Sequence, residues 1–365
     1  DRRTAGGGGP TLNGTVMLPE IHVQRLEGPR LALDYQAGAP ALAPFFTGSP
    51  RDPAAYRRKA GELRRRFQGD QRRRIAGALR PSSPAAAERL GRVIVEDGFF
   101  VTTGQQAGLF TGPLFTIYKA LTAARLAEHL ERILDVPVAP LFWVAADDHD
   151  WEEVDHIQLL DPANRLHRIA LAAPAGAPPV SMARRRLGPG IETTSSALGE
   201  LLPDTAFKAD LLELIRTTYR PEATVAGAFR EMLERLLAPF DVLLVDSADP
   251  LVKELACPVL EREVEVAAEH EARVAAQTDR LVAAGYHAQV AVGAGASNIF
   301  YEDEAGRERL VRADGGWQLR RTKRSFSDGE LRGLLRAAPE RFSPNVLLRP
   351  VVESALFPTL AYVAG

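Results

Sequence analysis

The sequence predicts an α/β fold built around a sheet of parallel strands, and three observations carry that expectation. Residues 98–156 run from a short apolar segment (Phe99, Phe100, Val101) through a glycine-bearing loop and an amphipathic helix to a second apolar segment, residues 136–146. That is the order of a βαβ unit. A third apolar run, residues 241–246 (DVLLVD), is short, bounded by helical patterns and ends in an acid, as buried parallel strands do. Residues 99–101, 141–145 and 242–245 are therefore expected as neighbouring strands of one sheet. Polar clusters follow the first two runs, and the carboxyl ends of strands in an open parallel sheet form its ligand crevice. The two clusters are thus expected to line one pocket.

From the N-terminus, residues 1–28 are glycine-rich and read as a disordered extension. Residues 30–46 carry short apolar pieces broken by Gly38, Pro40 and Pro44. Residues 53–77 are patterned as helix, and their RRRF and QRRRI clusters read as a solvated face of long arginine stems. No aromatic residues interleave them as nucleic-acid stacking platforms would require.

The loop after the first strand, Thr102-Thr103-Gly104-Gln105-Gln106-Ala107-Gly108, has glycines where backbone could approach a ligand and N–H groups could face an anion. It is neither a GxGxxG fingerprint nor a P-loop, because no Lys-Ser/Thr pair follows the second glycine. Gly112-Pro113 is expected to open the next helix, with Thr111 or Gly112 as cap and Pro113 first. Leu114, Ile117, Leu121, Leu126 and Leu130 keep helical spacing and are expected to face the sheet. Lys119 among them reads either as a lysine snorkelling at the helix edge or as a site residue.

The second polar cluster packs Asp147, Asp148, His149, Asp150, Glu152, Glu153, Asp155 and His156 into ten residues. An acidic first helical turn that favours the helix dipole is one reading. The histidine supports another: carboxylates beside His149 fix its tautomer and suit it to general acid/base work or to binding an amine. No metal is expected, since there is no HExxH and no cysteine to complete a zinc set.

Residues 157–187 read as short strands around a proline- and alanine-rich turn at 174–179, followed by helices near 191–202, 204–217 and 222–237. Asp249-Pro250 starts a long helix to about residue 284, with Gly285 as its stop. Residues 288–292, 298–302, 308–312 and 317–322 read as short strands, and Ser327 with Glu330 forms a capping box opening a helix through Ala337. Residues 344–365 return to apolar, strand-like runs containing Asn345, Arg349 and Glu353.

With 365 residues, 45% hydrophobic and 25% charged, the chain can bury a large core. A net charge of -2 leaves no electrostatic footprint for nucleic acid, and the 5 lysines against 40 arginines balance the acids rather than form a patch. Cys257 stands alone, which excludes an internal disulfide and suits a reducing cytoplasm. No apolar stretch reaches membrane-spanning length, so no membrane role is expected.

The strings TTGQQAGLFTGPLFTIYKALTAARLA and APLFWVAADDHDWEEVDHI resemble the bacillithiol biosynthesis cysteine-adding enzymes, the BshC family. The likeness extends to LDYQAGAPALAPFF and SPNVLLRPVVESALFPTLAYVAG and covers the chain from about residue 29. It implies a Rossmann-like core of class I nucleotidyltransferase type, with a first half at 29–156 and an inserted connecting region at 157–240. A core strand and long helix at 241–286, a second β-rich insertion at 287–342 and a return to the core at 343–365 complete the layout. The family's coiled coil, which serves homodimerisation, is expected to be absent from this chain. The implied reaction joins the carboxyl of cysteine to the amine of glucosaminyl-malate in the cytoplasm. Asp148, His149 and Asp150 are the expected catalytic residues. Thr103, Gly104, Gln105, Gln106, Gly108, Thr111, Gly112, Lys119, Trp143, Glu153, His156, Asn345 and Arg349 are expected to bind substrate or nucleotide. ATP or another adenine nucleotide is a candidate cofactor. In class I synthetases, however, two histidines of the glycine loop hold the ATP phosphates, and Gln106-Ala107-Gly108-Leu109 offers glutamine and leucine instead. The alternative is a nucleotide-binding or tRNA-synthetase-like protein without this activity; its KMSKS-like loop is missing, RTKRS at 321–325 being the nearest string.

Overall fold

The computed structural model describes residues 28–173, 176–288, 290, 295–313 and 315–364. All of the expected extension at 1–28 except Gly28, and most of the expected strand at 288–292, lie outside the described residues. The chain divides into two compact units at residues 46 and 47. In the first, helix α1 (Arg30–Ala37) ends at Gly38, whose φ of 71° is the left-handed conformation glycine adopts without strain.

The second unit begins with α2 (Pro53–Arg66), α3 (Gly69–Ala76), the short strand β1 (Leu79–Pro81) and α4 (Pro84–Val95). The expected single helix over 53–77 is thus two helices, broken at Phe67 and Gln68. Its arginines are not all solvated either. Arg72 is buried, donates to the carbonyls of Gly98 and Phe67, and pairs with Asp97 at 3.3 Å. The core unit follows as β2 (Phe99–Gln106), α5 (Phe115–Leu134) and β3 (Val138–Ala145). Next come α6 (Trp151–Val154), the hairpin β4 (His156–Leu160) and β5 (Leu166–Ala170), and helices α7 (Gly190–Leu201), α8 (Lys208–Thr218) and α9 (Val225–Leu237). The hairpin turns at Asp161, whose carboxylate accepts from the backbone of Ala163 and Arg165, so both strands precede the proline-rich stretch rather than flank it. Pro174 and Ala175 fall outside the described residues.

Strand β6 (Leu243–Asp246) and α10 (Pro250–Ala283) complete the core crossover, and Gly285 follows the helix at φ 84° as expected of a stop signal. A second sheet is built from β7 (Ala296–Asp303), β8 (Gly306–Ala313), β9 (Gly316–Leu319), β10 (Ser325–Phe326) and, after α11 (Asp328–Ala337), β11 (Phe342–Pro344). Its order is β10-β9-β8-β7-β11, antiparallel throughout. The capping box of Ser327 and Glu330 is present. Finally α12 (Arg349–Leu356) leads into β12 (Thr359–Tyr362). Within 344–365 the strand-like reading holds for Pro344, the end of β11, and for β12. Pro350 occupies the first turn of a helix, where its missing N–H costs no bond.

The main sheet runs β1-β6-β3-β2-β12. Strands β2, β3 and β6 are adjacent and parallel, and β12 pairs parallel to β2. Only β1 is antiparallel, which makes the sheet mixed; its Pro81, with no N–H to give a ladder, sits on an edge strand. Side chains of β3 alternate between faces: Leu141 and Trp143 pack with Val252, Leu260 and Phe357, while Phe142 and Val144 pack with Ala120, Phe229 and Leu233. Both faces are therefore covered, and each fully buried residue such as Phe142 contributes about 1.5–3 kcal/mol. The buried face of α5 is made by Thr116, Lys119, Ala120, Ala123, Ala124, Ala127 and Leu130. Leu114, expected on that face, is exposed. Small residues let the helix approach the strands closely, so alanines rather than leucines mark its inner side.

Candidate active site

Strand β2 continues through the stretch expected to be a loop. Thr102 to Gln106 pair residue by residue with Leu141 to Ala145, so Gly104 lies opposite Trp143, and a Cβ on it would come 2.8 Å from the Trp143 carbonyl. Only hydrogen fits there. The turn beyond the strand is tight: Phe110, Thr111 and Gly112 all have positive φ, and a Cβ on Gly108 would meet Gly112 Cα at 2.8 Å. Helix α5 starts at Phe115 without a side-chain cap, later than the expected start at Pro113.

The ends of β2 and β3 open into a cavity of 580 Å³. Gly104, Gln105, Gln106, Lys119, Trp143, Asp148, His149, Asp150, Glu153, Asn345 and Arg349 line it, so the two polar clusters do share one pocket. Five expected residues do not line it. Thr103 donates its hydroxyl to the Val363 carbonyl at 2.8 Å, tying β2 to the chain after β12. The N–H of Thr111 donates to the Tyr219 hydroxyl, which donates to the Gly108 carbonyl, so these residues and Gly112 shape the turn from behind. His156 opens the hairpin and pairs with Asp155 at 2.7 Å.

Acids line part of the cavity. The Asp148 carboxylate accepts from Gln106 Nε2 at 2.6 Å and from the backbone N–H groups of His149 and Asp150 at 2.7 and 3.2 Å. Burial alone would raise this carboxyl, but hydrogen bonds from His149, Gln106 and Asp150, with the charge of Arg307, hold it well below the usual carboxylate range. Gln106 also donates to Glu153 and so bridges two acids. Asp147 is matched by the buried Lys253, and its N–H donates to Ser247 Oγ at 3.1 Å.

Cations face them. Lys119 is buried and donates to the Gly104 carbonyl and to Gln105 Oε1, each at 2.7 Å, so its ammonium lines the cavity instead of snorkelling to solvent. Burial, with Arg349 nearby, lowers its pKa. Arg349 pairs with Glu353, whose carboxyl burial pushes up against the pull of that arginine. Trp143 Nε1 is buried and makes no hydrogen bond with a described residue.

The residues that sequence reasoning missed come from the second sheet. Arg307 is buried; its guanidinium donates to Ser343 Oγ at 2.9 Å, Pro344 O at 3.3 Å and His149 Nδ1 at 2.9 Å, and lies 3.8 Å from the Phe300 ring centroid. Asp148 Oδ1 is farther from Nδ1, at 3.7 Å. Guanidinium nitrogens can only donate, so Nδ1 accepts and the proton sits on Nε2. The tautomer of His149 is therefore set by Arg307 rather than by the flanking carboxylates. Among the described residues, no group of three or more His, Cys, Asp or Glu is placed to hold a metal ion.

The family model described as "Bacillithiol biosynthesis BshC, N-terminal Rossmann-like domain" matches residues 18–365. The chain belongs to the BshC family. Among its curated relatives is the "Putative cysteine ligase BshC" of Salinibacter ruber, 34% identical over 92% of this chain and 62% of its own length. Proteins of the same name from Solibacter usitatus and Koribacter versatilis are each 35% identical over 92% of the chain. The chain thus spans about 62% of the length of these BshC relatives. No helix among its described residues is long and apolar enough to cross a membrane.

Proposed function

We propose that this cavity joins the carboxyl of cysteine to the amine of glucosaminyl-malate, forming bacillithiol. The observation that supports the reading most is the mixed charge of one cavity, which is lined by Asp148, Asp150 and Glu153 and also by Lys119, Arg307 and Arg349. Those acids suit an acceptor that arrives as an ammonium ion. The end of β2, with Gln105 and Lys119, suits the cysteine carboxylate.

Amide formation from an ammonium makes an N–C bond, breaks a C–O bond and removes two protons from nitrogen, one before attack and one after it, the second leaving with the displaced oxygen. Asp148, kept ionised by its donors, attracts the ammonium. His149 is the candidate to take its proton, and because Arg307 holds Nδ1, that transfer requires Nη1 of Arg307 to release the ring. The displaced oxygen leaves as water or with an activating group, for which ATP or another adenine nucleotide is the candidate donor.

The test is incubation of the full-length protein with cysteine and glucosaminyl-malate, with and without ATP, and mass spectrometry of the thiols formed. A product equal to the two substrates less one water supports the reading. Its absence under both conditions contradicts it.

A further inference from the structure

The cavity does not end at His149. A second cleft, of 630 Å³, continues from it, and His149, Phe300, Arg307 and Arg309 line both. Arg320 and Arg321 complete its wall. The arrangement follows from strand geometry: Arg307 and Arg309 are two residues apart on β8 and share one face, and Arg309 pairs across the ladder with Phe300 of β7. Both guanidinium groups lie against the Phe300 ring, at 3.8 and 5.2 Å from its centroid.

Two of these charges are poorly matched within the protein. Arg307 gives its hydrogen bonds to neutral acceptors with the carboxylates of Asp147, Asp148 and Glu302 nearby, whereas neither Arg309 nor Arg320 pairs with a carboxylate of a described residue. The acid in the cleft wall, Glu308, is already held by the backbone of Arg321 and Thr322, by the Thr322 hydroxyl and by Arg321 at 3.7 Å. Burial lowers the pKa of Arg307 and Arg309, and for Arg309 the neighbouring Arg320 adds to it. An anion would relieve that crowding, and planar guanidinium forks match carboxylates in paired hydrogen bonds.

We propose that this cleft is the subsite for a small dicarboxylate group, the malyl end of the acceptor, and that it sets acceptor specificity by holding the carboxylates while the amine lies against Asp148. The proposal rests on the ligase reading and extends it to acceptor recognition. The amine and the dicarboxylate are then bound by opposite charges on either side of His149.

The experiment compares the full-length protein with an Arg309→Gln/Arg320→Gln variant that melts with the wild type. Ligation is measured with glucosaminyl-malate and with methyl glucosaminide, which has the amine and no carboxylate, while calorimetry follows malate and inorganic phosphate alone. Expected are a KM for glucosaminyl-malate raised about tenfold or more with kcat nearly unchanged, an unchanged KM for methyl glucosaminide, and loss of malate binding in the variant. An unchanged KM for glucosaminyl-malate overturns the subsite and leaves the ligase reading standing. Malate binding that depends on these arginines in a protein that makes no product keeps the subsite and overturns the ligase reading. Loss of phosphate binding alone assigns the cleft to a phosphate and overturns the proposal.

Discussion

Replacing Arg307 with methionine keeps an unbranched stem against Phe300 and removes the guanidinium. Three hydrogen bonds from a charged donor are lost, to Ser343 Oγ, Pro344 O and His149 Nδ1. At about 1.5–3 kcal/mol each, the gross loss exceeds 4 kcal/mol. Releasing a buried cation from its desolvation penalty offsets part of this, whereas Ser343 and Pro344 keep buried polar atoms without their donor. Removing one partner from a buried charged network costs about 3–5 kcal/mol, and the lower figure applies because Asp147 retains Lys253 and Asp148 retains Gln106. The expected result is about 3 kcal/mol of lost stability in urea unfolding, with the native fold intact. Nitrogen NMR of the imidazole gives the second readout. In the wild type His149 carries its proton on Nε2; in the variant the tautomer with Nδ1–H directed at Asp148, 3.7 Å away, becomes populated. A wild-type ring protonated on Nδ1 at neutral pH, or a variant as stable as the parent, would refute the reasoning.

Three further changes probe separate parts of the site. The folded pKa of Asp148 is depressed, so its contribution is fully present above the ordinary carboxylate value of 3.8 and is lost as pH falls below it; Asp148→Asn should flatten the acid limb of stability against pH, and an unchanged limb counts against the hydrogen-bond assignment. Gly108→Ala places a methyl 2.8 Å from Gly112 Cα, and chemical denaturation should register a loss of about 1–3 kcal/mol from forced backbone movement; a neutral effect would mean the turn has room. Lys119→Met frees Gln105 and the Gly104 carbonyl; ligation should fall by about tenfold or more while melting changes little, because the lost bonds are offset by removal of a buried charge, and a rate within about twofold of wild type would exclude Lys119 from the site.

The parts of this fold that could be read from the chain are those written in local pattern. DVLLVD, the run at 136–146 and Phe99 to Val101 became β6, β3 and β2 as neighbours, since short apolar segments between helices have few places to go but a covered parallel sheet. Gln106 and Asp148 could be placed together because strand ends at one edge of such a sheet share a crevice. Arg307, Arg309 and Phe300 could not. They reach His149 from a separate antiparallel sheet more than 140 residues downstream, and no spacing along the chain records that contact. Local pattern also misled where tertiary contact set the outcome. Thr102 to Gln106 look like a glycine loop yet lie in a ladder, because only the partner strand shows that Gly104 is needed for close approach to Trp143. Val351 and Val352 suggest a strand, but Pro350 in a first turn was the stronger signal.

The most direct test of the central claim is a single-turnover reaction of full-length protein with cysteine and glucosaminyl-malate carrying ¹⁵N at the amine, run for the wild type and for folded Asp148→Asn. The expected outcome is a wild-type product that retains the label in a new amide, and a rate on the order of a hundredfold lower in the variant, as when a group that positions the amine for proton transfer is lost. Labelled product formed equally fast by Asp148→Asn would contradict the assignment of this cavity as the place where the bond is made.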